Sequence, residues 1–419
     1  MKILIVGGGG REHTIAWKLA QSPLVDKLYC APGNGGIAQV AECVPVAATD
    51  IDGIVDFASK NSIDLTFVAP DDPLVMGMVD ALEAKGLKAF GPNKAAAIIE
   101  GSKVFSKELM KKYGIPTAEY EVFTSSADAL AYIEDKACPI VIKAEGLALG
   151  KGVIIAQTKD EARDAIREMM DNAMFGDAGK RIVIEEYLTG PEISVLAFTD
   201  GKTIKPMVSA QDHKRVYDGD KGLNTGGMGT FSPSRIYTPE LAEICMKDVF
   251  LPTMEAMNKE GRTFKGVLYF GLMLTQKGIK VIEYNCRFGD PETQVVLPRL
   301  KTDLAEIILA IVEERLSDIE IEWYDNAAVC VVMASGGYPL KYEKGYPIEG
   351  LDEACKADNI TVFHAGTKKD GDKLVTAGGR VLGVTATASD LDGAIKDAYA
   401  AVEKISFQDA HYRKDIGIK

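Results

Sequence analysis

The stretch VIEYNCRFGDPETQ, residues 281 to 294, carries an apolar run directly into Glu283, Asn285 and Arg287. A buried strand has no need of such residues. Side chains along a strand alternate between faces, so Glu283 and Asn285 share one face, and Arg287 joins them if the strand continues. Two oxygen-bearing side chains on one face suit a hard cation such as magnesium or manganese, which is held by few protein ligands plus substrate phosphates. The arginine could grip a carboxylate with both arms. Structural ion pairs are the plainer alternative, but the Gly-Asp-Pro turn after Arg287 favours a site on a rigid strand end.

Four other stretches carry candidate chemistry. GGGGREH, residues 7 to 13, follows a short apolar run. It does not match GxGxxG, because position 12 is glutamate, and the second strand ends at Ala31-Pro32 without the acid that would hold a ribose. Glycine amides at a helix start, with Arg11 beside them, instead suggest an anion site for a phosphate on a small substrate. IKAEGLALGKGV, residues 142 to 153, puts Lys143 at a strand end and Lys151 in a glycine loop. Such lysines suit phosphate oxygens, although a lysine beside a hairpin turn is commonplace. IVIEEYLTGPEIS, residues 182 to 194, offers Glu185 and Glu192 around a strand-to-loop hinge; a solvated acidic turn explains it equally well. AQDHKRVYDGDKGLNTGGMG, residues 210 to 229, concentrates Asp212, His213, Lys214, Asn224 and glycines in a long loop of the kind that tends to be functional.

These loops need a scaffold. Residues 2 to 6 read as a buried strand, 12 to 21 as a helix, and KLYCAPGNGG and IDLTFVAPDDPL as further strands ending in polar loops. This is the pattern of an open α/β sheet that binds ligands at its carboxyl edge. Residues 95 to 112 predict one helix. The runs 139–144, 152–156 and 181–184, with a helix at 160–172, predict a small α+β lobe. Strands at 193–198, 203–209, 264–275 and 279–284 predict an antiparallel sheet closed by a helix at 302–315. Strands near 327–334, 360–364 and 379–388 with a helix at 390–404 predict a further mixed unit.

With 419 residues the chain is too long for one core. The net charge of −13 argues against a broad nucleic-acid or membrane surface. Seven scattered cysteines, never spaced CxxC, suggest neither a disulfide framework nor a zinc site, and with no apolar run of signal or membrane length the expectation is a cytoplasmic protein.

Taken together, GGGGREHTIAWKLAQSP, APGNGG, GSKVFSKELM, SAQDHKRVYDGDKGLNTGGMG, YFGLML, VIEYNCRFGDPETQ, GGRVLGVTA and RKDIG resemble, in order and over essentially the whole chain, the phosphoribosylamine–glycine ligases of the ATP-grasp superfamily. The resemblance implies an α/β and α+β multidomain protein: an amino-terminal α/β domain at 1–101, an ATP-grasp region at 102–325 whose lobe at about 120–190 lies over ATP, and a small carboxyl-terminal mixed domain at 326–419. It implies ligation of glycine to 5-phosphoribosylamine by ATP with Mg2+ or Mn2+, through glycyl phosphate. Lys103 and Lys143 would meet the ATP phosphates, Glu185 and the Leu188 backbone adenine, Glu192 ribose, and Glu283 and Asn285 the metal. Arg287 would stabilise the acyl phosphate, with Lys143 and Asp212 also in the catalytic set. Asp212, His213, Lys214, Asn224, Gly226, Gly227 and Met228 would lie on the glycine side, and Gly9, Arg11, Asn34 and Asp71 on the phosphoribosylamine side. Asp71, Asp212 and Asp290 all remain open as acceptors of the amine's proton. A monomer or weak dimer, and transient contact with the enzyme that forms phosphoribosylamine, are further expectations. The family more often has aspartate at Glu145, alanine at Leu149 and glutamate at Asp71. The competing readings are a biotin- or aminoimidazole-ribonucleotide-dependent carboxylase of the same superfamily, and a nucleotide sensor without turnover.

Overall fold

In the computed structural model, residues 1–147, 152–172 and 174–418 are described. The first sheet is parallel, ordered Glu42–Cys43, Lys27–Pro32, Lys2–Gly7, Leu65–Val68, Ala89–Phe90. Ile3 to Val6 are fully buried because both faces are covered, as parallel strands require. Alternation sends Leu4 and Val6 into one hydrophobic core and Ile3 and Ile5 into another. Strand order reverses beside Lys2–Gly7. The crevice outside the carboxyl ends of Lys2–Gly7 and Leu65–Val68 is therefore where this topology binds ligands.

Residues 120–186 form a lobe with its own core. Four antiparallel strands, in the order Tyr120–Phe123, Ile182–Glu186, Ile140–Ala144, Val153–Ala156, are covered by helices Ser126–Glu134 and Lys159–Met170. The second helix buries Ala162, Ala165, Ile166 and Met169, one stripe at helical spacing, and Thr158 caps it on Glu161 N. Period two then settles the other face: Ile140, Ile142 and Ala144 fill the lobe core, which turns Val141 and Lys143 towards the neighbouring sheet.

That sheet is antiparallel: Ile204–Pro206, Glu192–Thr199, Gly266–Thr275, Gly278–Asn285. A third sheet, antiparallel throughout, runs Gln211–Asp212, Gly229–Ser232, Ala327–Ala334, Arg380–Ala388, Ile360–His364, with helix Leu391–Val402 on one side. Its first two strands come from the middle of the chain. Among the described residues no helix is long and apolar enough to cross a membrane.

The structure departs from expectation in three places. The helix expected at 95–112 is two, Lys94–Gly101 and Lys103–Tyr113, because Ser102 is extended and its hydroxyl caps Phe105 N. Helical residues 239–259, begun by Thr238 and Pro239 and interrupted by a π turn at Met246–Phe250, occupy a stretch left without a helix. Strand Gly278–Asn285 stops two residues short of Arg287.

Candidate active site

Three sheets meet around a cleft of about 810 Å3. Its floor is one face of the central sheet, where register puts Gly271 opposite both Ser194 and Glu283, and Tyr269 opposite Asn285. A Cβ on Gly271 would come 3.0 Å from Glu283 Cγ, so the glycine makes room for the acid. A bulge at Ile282 shifts the register just before Glu283, and the Ile282 carbonyl freed there accepts from Lys143 Nζ at 3.1 Å.

The cationic side is dense. Lys103 Nζ donates to the Gly146 carbonyl at 3.0 Å. Lys143 Nζ lies 3.0 Å from Glu185 Oε1 as a close charge pair without hydrogen-bond alignment, and Lys107 Nζ lies 3.0 Å from Glu185 Oε2. Burial draws Lys107 down to about 8, with Glu185 opposing. The Glu185 carboxylate is thus enclosed by two lysines. Lys107 is four residues from Lys103 on one helix, a spacing visible in the sequence and passed over there.

Glu283 faces Lys214 Nζ at 3.7 Å, and Lys214 reaches Glu192 at 3.0 Å. Burial pushes the Glu283 carboxyl up, but Lys214, Lys143, Lys103 and Arg287 together hold it below the ordinary range. Asn285 Nδ2 donates to Glu100 Oε1 at 2.9 Å, which turns its Oδ1 away and leaves that oxygen free. An ionised carboxylate and an amide oxygen on one face fit a magnesium or manganese ion. Glu100, which no sequence signal marked because it arrives from a distant helix, also accepts from Cys286 N at 2.7 Å and from Arg287 Nη2 at 2.8 Å. In Glu100→Gln an NH2 replaces one acceptor in front of these donors, so Asn285 should lose its orientation. Divalent-cation affinity is expected to fall about 10- to 100-fold. Mn2+ titration followed by electron paramagnetic resonance checks this, and unchanged affinity would sink it.

Arg287 lies beyond the strand and does not grip a carboxylate with two arms as expected. Nη2 pairs with Glu100, Nη1 donates to the Phe288 carbonyl at 3.2 Å, and the buried Nε has no partner. Asp71 Oδ2 is 3.8 Å from Nη2, and Arg287 and Arg11 outweigh burial to keep Asp71 ionised.

The glycine turn is a poorer phosphate seat than its composition suggests. Gly9 N donates to Glu12 Oε2 at 2.6 Å, and Arg11 N faces Asp290 Oδ2 at 3.4 Å. Arg11 itself is spent on Glu12 and on the Phe288 carbonyl. Burial notwithstanding, Arg380 and Arg11 hold Asp290 low, so a phosphate there would confront carboxylates. Asn34 is saturated: its amide donates to the Gly8 and His364 carbonyls, and its oxygen accepts from Gly36 N and Ile37 N. Its side chain shapes the loop and has nothing left for a substrate.

In the 210–229 stretch, Asp212, His213, Lys214, Asn224 and Gly226 line the cleft. Gly227 and Met228 do not: Gly227 packs against Pro291, and Met228 is buried with Val216 and Ala334. His213 is buried, its Nδ1 unpartnered, and burial lowers it to about 4. Burial pushes Asp212 up to about 7, with Lys214 opposing and Glu292, Glu192 and Glu283 adding to the rise. Glu292, in the opening stretch but given no role there, accepts from Tyr269 Oη at 3.1 Å and Ser194 Oγ at 3.3 Å at the cleft floor. Glu145 pairs with Arg181 and accepts from Ser102 Oγ; Leu149 and Lys151 lie outside the described residues.

Residues 1–100, 101–293 and 328–419 match in turn the N domain, the ATP-grasp (A) domain and the C domain of phosphoribosylglycinamide synthetase. The chain belongs to that family. Among curated relatives, the phosphoribosylamine–glycine ligase of Halalkalibacterium halodurans is 52% identical over all of this chain and 97% of the relative, and that of Escherichia coli 51% over 100% and 98%. The crystal structure of the Thermotoga maritima phosphoribosylamine–glycine ligase superposes with a TM-score of 0.85 at 33% identity, over 99% of this chain and all of the other. A biotin carboxylase domain from Hydrogenobacter thermophilus shares the fold, with a TM-score of 0.74 at 17% identity over 98% and 91% of the two chains.

Proposed function

We propose that this chain joins glycine to 5-phosphoribosylamine at the expense of ATP, giving glycinamide ribonucleotide, ADP and phosphate. The observation that carries the reading is the single cleft in which Glu283, Asn285, Lys143, Lys214, Arg287 and Asp212 converge. In a first step a glycine carboxylate oxygen attacks the γ-phosphorus and the bond to ADP breaks. In a second the amine attacks the acyl carbon, phosphate leaves and the nitrogen loses a proton.

Each group has work suited to its surroundings. Val141, Val153 and Ile155 form an apolar wall for adenine, and the lobe at 120–186 covers it. Lys103 and Lys143 meet the phosphates, with Glu185 and the Leu188 main chain at the base and Glu192 offering a carboxylate to ribose. Glu283 and Asn285 would hold magnesium or manganese, which when bound would supply positive charge to offset that of the phosphoryl group being transferred. The free Nε of Arg287 donates to the acyl phosphate as its charge grows. Asp71 and Asp290 are held ionised and weakly basic by arginines, whereas Asp212 is poised near neutrality, so Asp212 takes the amine's proton.

The reading is tested by ADP release with Mg-ATP, glycine and freshly generated phosphoribosylamine, each omitted in turn. ADP and glycinamide ribonucleotide should appear together and only in the full mixture; dependence on bicarbonate instead would move the chain to the carboxylases.

Asp212 also gives a pH signature. Its folded value lies above the ordinary 3.8, so the protonated form favours the fold. The stability it contributes is full below that ordinary value and is lost as pH rises to about 7. Asp212→Asn should cancel this loss, making the variant more stable than the parent at pH 8 while kcat falls about 100- to 10,000-fold. Urea unfolding of both proteins at pH 5 and pH 8 reads the difference; parallel pH slopes would contradict it.

A further inference from the structure

The segment from 411 to 417, which contains the RKDIG motif, is absorbed by none of the steps above, yet the Arg413 side chain is one of the largest fully buried in the protein. Arg413 is 0% exposed. Its Nε and Nη2 grip Asp415 at 2.7 and 2.8 Å, and Nη1 donates to the Arg215 carbonyl at 3.1 Å and lies 2.9 Å from Asp220. Neighbouring groups of the same segment bond the same partner. His411 Nε2 meets the Val216 carbonyl at 2.8 Å, Lys414 N donates to Asp218 Oδ1 at 2.7 Å, and Gly219 N donates to Asp415 Oδ2 at 2.8 Å.

What this segment holds is the hairpin Arg215–Tyr217 with Lys221–Asn224. The hairpin has almost no core of its own: Lys221 to Asn224 are all exposed, and only Val216 among its strand residues is buried. An isolated two-stranded hairpin is marginal in water, so its position is set from outside. Its root carries Lys214 on the cleft wall beside Asp212, and Lys214 is the cation that reaches both Glu192 and Glu283. Arg413 also stands close enough to depress His213 by its charge, second to burial.

We propose that Arg413 is a positioning residue for the reaction: through Asp415, Asp220 and the Arg215 carbonyl it fixes the hairpin whose root presents Lys214, beside Asp212 of the third sheet, to the substrates. The inference rests on the ligase reading of the cleft. Lysine cannot replace it, because only the planar guanidinium reaches these partners at once in fixed directions.

Three measurements on the full chain test this: steady-state ligation, ATP affinity, and trypsin cleavage at Lys214, Arg215 and Lys221. In Arg413→Ala, kcat should fall at least about 10-fold with ATP affinity within about threefold, and the hairpin should be cut faster than the rest of the chain. Methylguanidinium should restore part of kcat to Arg413→Ala, and sodium chloride at equal ionic strength should not. Val402→Ala, a core truncation in helix Leu391–Val402, serves as the stability control and should lower the melting temperature without the loss of kcat. If Arg413→Ala does not fold, Asp415→Asn, whose side chain lies outside the cleft, weakens the hold on Arg413 and on Gly219 N and should still lower kcat and expose the hairpin to trypsin. Unchanged kcat, absence of rescue, or an equal loss in Val402→Ala would overturn the proposal. The protease readout does not depend on which acid is ligated, so it separates failure of this inference from failure of the ligase reading.

Discussion

Glu283→Gln is expected to cut kcat by about 100- to 1,000-fold with only a modest fall in the melting temperature. The substitution keeps volume and one oxygen, so packing above Gly271 is unchanged. It removes the negative charge around which Lys214, Lys143, Lys103 and Arg287 are arranged. In the parent those cations outweigh burial and hold the carboxyl below its ordinary range, so the charge is a net contributor to the fold. A neutral amide gives up that contribution together with the desolvation cost of the charge, so stability falls far less than activity. The experiment is a pair: turnover across magnesium concentrations, and thermal unfolding without nucleotide. Full turnover at saturating magnesium would remove Glu283 from the metal site.

Arg287 should behave differently, because it serves both reaction and fold. Arg287→Lys keeps a cation but loses the fork that reaches Glu100, the Phe288 carbonyl and, through Nε, the cleft; kcat is expected to fall about 100- to 1,000-fold with modest loss of stability. Arg287→Ala should lose as much turnover and, in addition, about 3–5 kcal/mol of stability, since Glu100 is left buried without its cation. Adding Glu100→Gln to Arg287→Ala should return part of that stability and none of the turnover. Denaturant titrations alongside kcat measure both. If the double variant is no more stable than Arg287→Ala, the buried pair is not the source of the loss.

Local pattern carried much of this architecture. Glu283 and Asn285 share a face for the reason their spacing suggested, and the 160–172 stripe became a helix over its own lobe. Long-range pairing was not legible. Glu100 orients Asn285 and Arg287 across 185 and 187 residues. Asp290 and Glu12 claim amides that the glycine turn appeared to offer to a phosphate, and Asn34 satisfies backbone that only the fold brings near. Composition names the groups able to bind an anion, but not the internal carboxylate that reaches them first. The helix break at Ser102 and the helix begun at Thr238-Pro239 were legible from capping chemistry and were passed over.

The third sheet takes its first two strands from residues 211–232 and the rest from beyond 326. Strand Ala327–Ala334 is buried at every position and pairs on one side with Gly229–Ser232. A fragment cut at the apparent boundary near 326 would expose a long, flat, apolar edge, the kind that recruits other chains into aggregates. During synthesis the same constraint sets an order: residues 211–232 must wait roughly five to twenty seconds for their partner strand to emerge, at typical elongation rates of about 5–20 residues per second. The active-site loop therefore forms late, and truncated chains are candidates for chaperone capture before they can bind substrate.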